Sequence, residues 1–350
     1  MRNLILSRPV QESSIDLEVV TLYGLGTSGR GAEGLGVPIH NLDLKSKYSP
    51  AGLWRLVRFI RSRRYDVIHV HLFPASYFAA LSSFFVRARA WVYTESSSWN
   101  RRRRYPSLRP LESLVFSRFK AVIAVSRLVA ENLIDWLPTT RKKVRVIPNG
   151  VPIARLAGTR AASGRAPVIL FVGRLEWMKG VDILLRALAG MRKTDVRLQV
   201  VGDGTLRQSL ENLAAELGIG ERTEFLGLRS EVGPLMDRAD CLALPSRWEG
   251  LPMVVLEAMS RGLPVVASSV GGVPEIITQG VSGWLVPPED SEAMAATLAS
   301  VLTNPALRRQ VGRNARERIR QDFSIERMAQ KTVALYAEII AGPAARRRAQ

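Results

Sequence analysis

Short β-branched apolar runs alternate with stretches of helical spacing along most of the chain. Asp66-Val-Ile-His-Val-His71, Ala121-Val-Ile-Ala-Val125, Val168-Ile-Leu-Phe-Val172, Arg197-Leu-Gln-Val-Val201 and Cys241-Leu-Ala-Leu244 read as strands. They are continuously apolar rather than alternating, as expected for strands covered by helices on both faces. Strand, helix, strand order predicts parallel pairing. Helices are expected over 53–64, over 181–188, after Gly204, after Pro252 and over 324–340. The fold class is therefore α/β, doubly wound.

A stretch rich in Ala, Gly, Arg and Ser spans 153–167, after the turn Ile147-Pro-Asn-Gly-Val151 and before a new strand. It divides the sequence into an N-terminal domain (1–152), a C-terminal domain (166–325) and a final helix with a basic tail (326–350), the helix ending before Gly342-Pro343. With 350 residues, 47% of them hydrophobic, the chain can bury two cores. No apolar run approaches the ~20 residues of a membrane helix, and the first ten residues are too weakly apolar for a signal peptide. The expected location is the cytoplasm.

Cys241 is the single cysteine and sits in an apolar run, which reads as core. His40, His69 and His71 form no zinc-binding pattern, so no metal is expected. The net charge of +19 calls for an anionic partner. Up to Gly150 the chain carries 24 Lys and Arg against 10 Asp and Glu, and beyond it 26 against 21, so the surplus lies in the N-terminal half. No nucleic-acid-binding motif accompanies it.

Three segments carry candidate chemistry. The strand 168–172 runs into Gly173-Arg174-Leu-Glu-Trp-Met-Lys179-Gly180, where a glycine permits a tight turn and two cations at a strand's carboxyl edge suit a diphosphate. The next strand delivers Gly202-Asp203-Gly204 before a long helix, and Asp203 is suited to capping that helix. In Pro245-Ser246-Arg-Trp-Glu249-Gly-Leu-Pro252-Met253-Val254-Val-Leu-Glu257, Pro252 can open a helix whose free N–H groups at Met253 and Val254 favour a phosphate. Two carboxylates beside such a site fit a hydroxyl-rich ligand, one for a sugar and one for a ribose.

In order and spacing these motifs, with Gly271-Gly-Val-Pro-Glu275, resemble the retaining GT-B glycosyltransferases usually numbered family 4. The similarity covers the C-terminal domain and extends upstream through 66–71, 94–104 and 147–151. It implies two Rossmann-like domains facing a cleft, and a metal-independent hexosyltransferase with no bound cofactor and a UDP- or GDP-linked sugar as co-substrate. It further implies that Arg174 and Lys179 grip the diphosphate, Glu257 holds the ribose, Glu249 contacts the transferred sugar, and Gly173, Gly202, Asp203 and the Met253 and Val254 amides complete the donor cradle. Arg174, Lys179 and Glu249 are then the catalytic set. Retention is expected by same-face displacement, with neither glutamate acting as nucleophile.

The N-terminal domain departs from the family twice. The residues 16–23 look like the end of a first helix and a second strand, so the opening strand–loop–helix unit of the family is not matched, and the glycines at 24, 26, 29, 31, 34 and 36 follow the wrong strand to replace it. Ser96 stands where many relatives carry histidine, and serine cannot take a proton near neutral pH. His71 and Glu95 are the candidate substitutes. Arg101 to Arg104 follow, and with Arg101 and Arg102 on the acceptor side they point to an acceptor glycan or polyprenyl-phosphate-linked sugar of bacterial envelope polysaccharide synthesis. The basic helix at 53–64 adds an anionic membrane surface, at the inner face of the plasma membrane, as a candidate partner. Two alternatives stay open: a nucleotide-sugar epimerase of the same build, and a donor-binding subunit without activity.

Overall fold

A computed structural model of the chain describes residues 2–5, 7, 10, 15–23, 36–46, 49–98, 100–154, 165–191 and 195–341. The glycine-rich loop at 24–34, Trp99, the connection at 155–164 and the tail from 342 lie outside the described residues. The chain divides into two compact units. One runs to Gly150 and resumes at Ile325, and the other is Val151–Ser324.

In the first unit, β1 (Val19–Thr21) and β2 (Ile39–Asn41) form a parallel pair of their own. A separate parallel sheet has the order β3 (Val67–His71), β4 (Ala90–Glu95), β5 (Ala121–Ala124), β6 (Val144–Val146). Among the described residues no strand precedes β1, and the helix Arg2–Ile5 opens the chain. Residues 16–18, read from sequence as the end of a helix, are not helical.

Every residue of β4 and β5 is buried, which explains why these strands do not alternate. Trp91, Tyr93 and Val122 pack with Val57, Phe78 and Phe116 from the helices Pro50–Arg61, Ala75–Ser82 and Arg109–Ser117. On the opposite face Val92, Ala121 and Ile123 meet Leu335, Tyr336 and Ile339 of the last helix, Ile325–Ala341. That helix thus completes the first unit's sheet, a role its sequence pattern does not disclose. Burying a side chain such as Leu335 contributes about 1.5–3 kcal/mol. The helix expected at 53–64 starts earlier, at Pro50, because Ser49 Oγ accepts from Gly52 N at 3.2 Å and proline fits a first turn.

The second unit is one parallel six-stranded sheet. Its strands are β7 (Val168–Val172), β8 (Arg197–Val201), β9 (Thr223–Gly227), β10 (Cys241–Leu244), β11 (Val265–Ser268) and β12 (Trp284–Val286), in the order β12-β11-β10-β7-β8-β9. Chain direction across the sheet therefore reverses between β7 and β10. Open α/β sheets bind ligands outside the carboxyl ends of strands at such a reversal. Cys241 is buried in β10, part of a core with Phe171, Leu184 and Leu198. Among the described residues no helix is long and apolar enough to cross a membrane.

Candidate functional site

The loops after β7, β8 and β10 converge at that reversal. Gly173 leaves β7 with its N–H donating to Val201 O at 3.0 Å. Gly202 has φ 134°, and a Cβ there would lie 1.9 Å from Gly173 O, so only glycine lets these two turns stack. A short 3₁₀ turn, Trp177–Lys179, then leads into the helix Val181–Gly190.

Lys179 Nζ donates to Glu249 Oε1 at 2.7 Å, and Ser246 Oγ donates to the same oxygen at 2.7 Å. Glu249 is 7% exposed, and its carboxylate would be costly there without these donors. A lysine carries three N–H donors, so Lys179 can hold Glu249 and still face an anion. From the other side, Gly271 (φ 60°) presses against the Glu249 backbone, where a Cβ would meet Glu249 O at 1.9 Å. Gly272 N also donates to Gly250 O at 2.8 Å.

Sequence reading missed the strut that sets this geometry. Arg247 Nη1 and Nη2 reach the two carboxylate oxygens of Asp182 at 3.0 and 2.8 Å, and Nη1 also donates to Trp177 O at 2.7 Å. Its backbone N–H donates to Met178 O at 2.9 Å, so the Lys179 turn is tied to the loop after β10. Burial would raise the Asp182 pKa, but the hydrogen bonds and charge of Arg247 outweigh it and hold the carboxyl below its usual range. The only sequence signal is an acid in the first turn of a helix.

The helix Met253–Ser260 begins with Pro252 at its N-cap, and no side chain caps it. Among the described residues the N–H groups of Met253 and Val254 meet no protein acceptor, so the first turn presents bare donors and the positive end of the dipole. Glu257 lies one turn further on and is exposed. Partial desolvation nonetheless raises its pKa, with Arg261 opposing.

Lys179, Ser246, Glu249 and the glycines at 173, 202 and 271 thus form one cluster. Two expected members stand apart from the Lys179–Glu249 pair. Arg174 is exposed, with Nη2 3.5 Å from Met178 Sδ. Asp203 does not cap the following helix: the chain makes a turn first, the N-cap is Leu206, and Asp203 Oδ1 accepts from Gly204 N at 2.8 Å while facing Arg207 at 3.8 Å.

In the first unit His71 closes β3, its ring 4.2 Å from that of His69. His69 Nε2 meets Thr94 Oγ1 at 2.7 Å, and its Nδ1 meets Tyr336 Oη. Burial pushes the His69 pKa down to about 3 and holds that of His71 well below the ordinary value. The burial that keeps His71 neutral also makes it a weak base. Glu95 is buried and serves its own loop, accepting from Ser97 N and Arg103 Nη2, both at 3.2 Å. Ser96 is half-buried just beyond β4. Arg101 opens the 3₁₀ turn Arg101–Arg104. Arg102 pairs with Glu112 at 2.9 Å and lies 4.1 Å over the Phe73 ring. With Arg102 and Arg103 both paired, the arginine run offers less free charge than its sequence suggests.

The histidines give an expected pH profile. An unfolded histidine takes up its proton near pH 6.5, whereas His69 in the folded unit resists until about 3. Protons are then bound preferentially by the unfolded chain, so stability is full above 6.5 and falls as pH is lowered through that window. Thermal midpoints measured across it should decline, and His69→Gln should flatten the slope. An unchanged slope in the variant would contradict the assignment.

Among the described residues no group of three His, Cys, Asp or Glu side chains is placed to hold a metal ion. With the geometry in place, comparison with known proteins gives a consistent result. The family described as Glycosyltransferase Family 4 matches residues 6–155, and Glycosyl transferases group 1 matches 158–318. Glycogen synthase of Mycobacterium tuberculosis is 32% identical over 288 residues, covering 79% of this chain and 69% of that protein. A D-inositol 3-phosphate glycosyltransferase of Saccharomonospora viridis is 34% identical over 251 residues, covering 66% and 58%. The crystal structure of Anabaena Alr3699/HepE in complex with UDP and glucose shares the fold, with a TM-score of 0.82 at 22% identity over 96% of this chain and 95% of that one. The chain belongs to the GT-B glycosyltransferases, with a family 4 N-terminal domain followed by a group 1 C-terminal domain.

Proposed function

We propose that the second unit binds a nucleoside-diphosphate sugar and that the enzyme transfers the sugar, with retention and without a metal, to a phosphorylated or lipid-linked acceptor of envelope polysaccharide synthesis. The observation that carries this reading is the bond from half-buried Lys179 to buried Glu249 at the carboxyl ends of β7 and β10, in the unit that also offers the uncapped start of the helix Met253–Ser260. Met253 and Val254 N–H, the remaining Lys179 protons and the exposed Arg174 take the diphosphate. Glu257 takes the ribose hydroxyls, and Glu249 accepts from a hydroxyl of the sugar. Gly173, Gly202 and Asp203 shape the floor.

During transfer the bond from the anomeric carbon to the phosphate oxygen breaks and a bond to the acceptor oxygen forms on the same face. The acceptor proton passes to the departing phosphate oxygen, leaving a glycoside and a nucleoside diphosphate. Lys179 and the helix N-terminus stabilise the charge that grows on that leaving group. UDP as the nucleotide is supported by the complex of HepE with UDP and glucose, and a phosphorylated acceptor by the name of the Saccharomonospora relative. On the acceptor side the assignments of His71, Glu95, Ser96, Arg101 and Arg102 belong to the same proposal, Glu95 acting through the loop it holds. A lipid-linked acceptor would bring the enzyme to the cytoplasmic face of an anionic membrane.

The test is transfer from UDP- and GDP-linked sugars to sugar phosphates, with the anomeric configuration of product read by NMR. The expected product keeps the donor's configuration. An inverted product, or an epimerised nucleotide sugar formed without acceptor, would overturn the reading.

A further inference from the structure

We infer that the first unit carries a docking face for an anionic lipid bilayer, built around Trp54, Leu81, Phe84 and Phe85. The inference deepens the proposed function, resting on its lipid-linked acceptor for its purpose. Trp54 is 56% exposed and Phe84 54%, with Leu81 and Phe85 also exposed. They are contiguous. Trp54, from the helix Pro50–Arg61, lies 5.3 Å ring to ring from Phe85. Leu81, Phe84 and Phe85 share the end of the helix Ala75–Ser82 and the turn that extends it, where Phe84 N donates to Leu81 O at 3.2 Å. An outcrop of large apolar side chains on one face of a folded unit marks a surface built for a partner.

The surrounding charge selects that partner. From Pro50 to Lys120 the chain holds 14 Lys and Arg but only Asp66, Glu95 and Glu112 as acids, and both glutamates are buried. Arg61 Nε donates to Phe85 O at 3.0 Å, and the Arg118 guanidinium lies 4.4 Å over the Phe84 ring, so cations flank the aromatics on two sides. Arg58 and Arg87 are exposed beside them in sequence. Protein interfaces also favour arginine beside aromatics, so what discriminates is the one-sided charge, Asp66 being the single exposed acid from Pro50 to Lys120. Aromatic rings at headgroup depth ringed by arginines match a bilayer bearing acidic lipids instead.

Cosedimentation of the full chain with vesicles tests this, comparing phosphatidylcholine alone with phosphatidylcholine containing phosphatidylglycerol. The variants are Trp54→Ser with Phe84→Ser, and Arg58→Glu with Arg87→Glu, all at exposed positions, with circular dichroism confirming the fold. Wild type should bind the acidic vesicles preferentially and release them at high salt. The charge-reversal pair should weaken binding by at least about fivefold, since one cation near an acidic surface accounts for roughly that factor, and the aromatic pair should weaken it on both vesicle types. Stabilisation by UDP, measured on the same samples, should not change. Equal binding to both vesicle types, variants that bind like wild type, or a wild-type dimer that Trp54→Ser splits would each overturn the inference. Vesicle indifference with intact UDP stabilisation sinks the docking face alone, whereas vesicle binding without any nucleotide effect sinks the transferase reading.

Discussion

Lys179→Ala should lower turnover by about 10²–10³-fold, the usual cost of removing one donor that stabilises developing charge. It should also destabilise the second unit. Lys179 is the cation beside a glutamate that is 7% exposed, and breaking such a pair costs about 3 kcal/mol or more because the surviving charge stays buried. The two effects can be separated. Combining Lys179→Ala with Glu249→Gln removes both charges, so most of the thermal midpoint should return while turnover stays well below that of Glu249→Gln alone, which reports the loss of the carboxylate. If the double variant turns over as fast as Glu249→Gln, Lys179 is structural only, and its catalytic assignment fails.

Gly271→Ala should be among the most damaging small substitutions. The residue has φ 60°, and the added methyl would sit 1.9 Å from Glu249 O. Left-handed backbone strain and the forced displacement of the Glu249 loop together should cost at least about 3 kcal/mol. The displaced carboxylate should also lose its bond to Lys179, so thermal unfolding should occur earlier and saturating donor should not restore full activity. Gly280 offers the control: it also has a positive φ, 71°, but a methyl there meets nothing within 4 Å, so Gly280→Ala should cost only the backbone term. Similar losses at both positions would show that packing against Glu249 is not what Gly271 provides.

Strands β7 and β10 were legible residue for residue, because strands covered on both faces write their whole length as apolar sequence, whereas β8 was legible from Leu198, Val200 and Val201 although Arg197 is exposed and Gln199 half-buried. The Gly173, Lys179 and Glu249 cluster was legible for a different reason: loops that leave neighbouring strands of one sheet must end near each other. What local pattern cannot carry is partnership across the chain. The Arg247–Asp182 bond joins residues 65 positions apart, and either side chain alone reads as ordinary surface charge. The helix Ile325–Ala341 shows its apolar stripe but not that Leu335 belongs on β4 and β5 of the first unit. Asp203 was misread because an acid near a helix start resembles a cap, whereas the intervening turn moves the cap to Leu206. The arginine run reads from sequence as charge offered to an anionic acceptor, whereas Glu95 and Glu112, eight and ten residues away, pair with Arg103 and Arg102.

The most direct measurement of the central claim is thermal stabilisation of the wild-type protein by a panel of nucleoside diphosphates and nucleotide sugars, repeated with Glu257→Ala. A ligand present at about 100 times its dissociation constant stabilises the folded state by about 2.7 kcal/mol. The account predicts a selective rise in the unfolding midpoint with one nucleoside diphosphate and its sugars, weakened in Glu257→Ala. A folded protein that shows no shift with any nucleotide would contradict it.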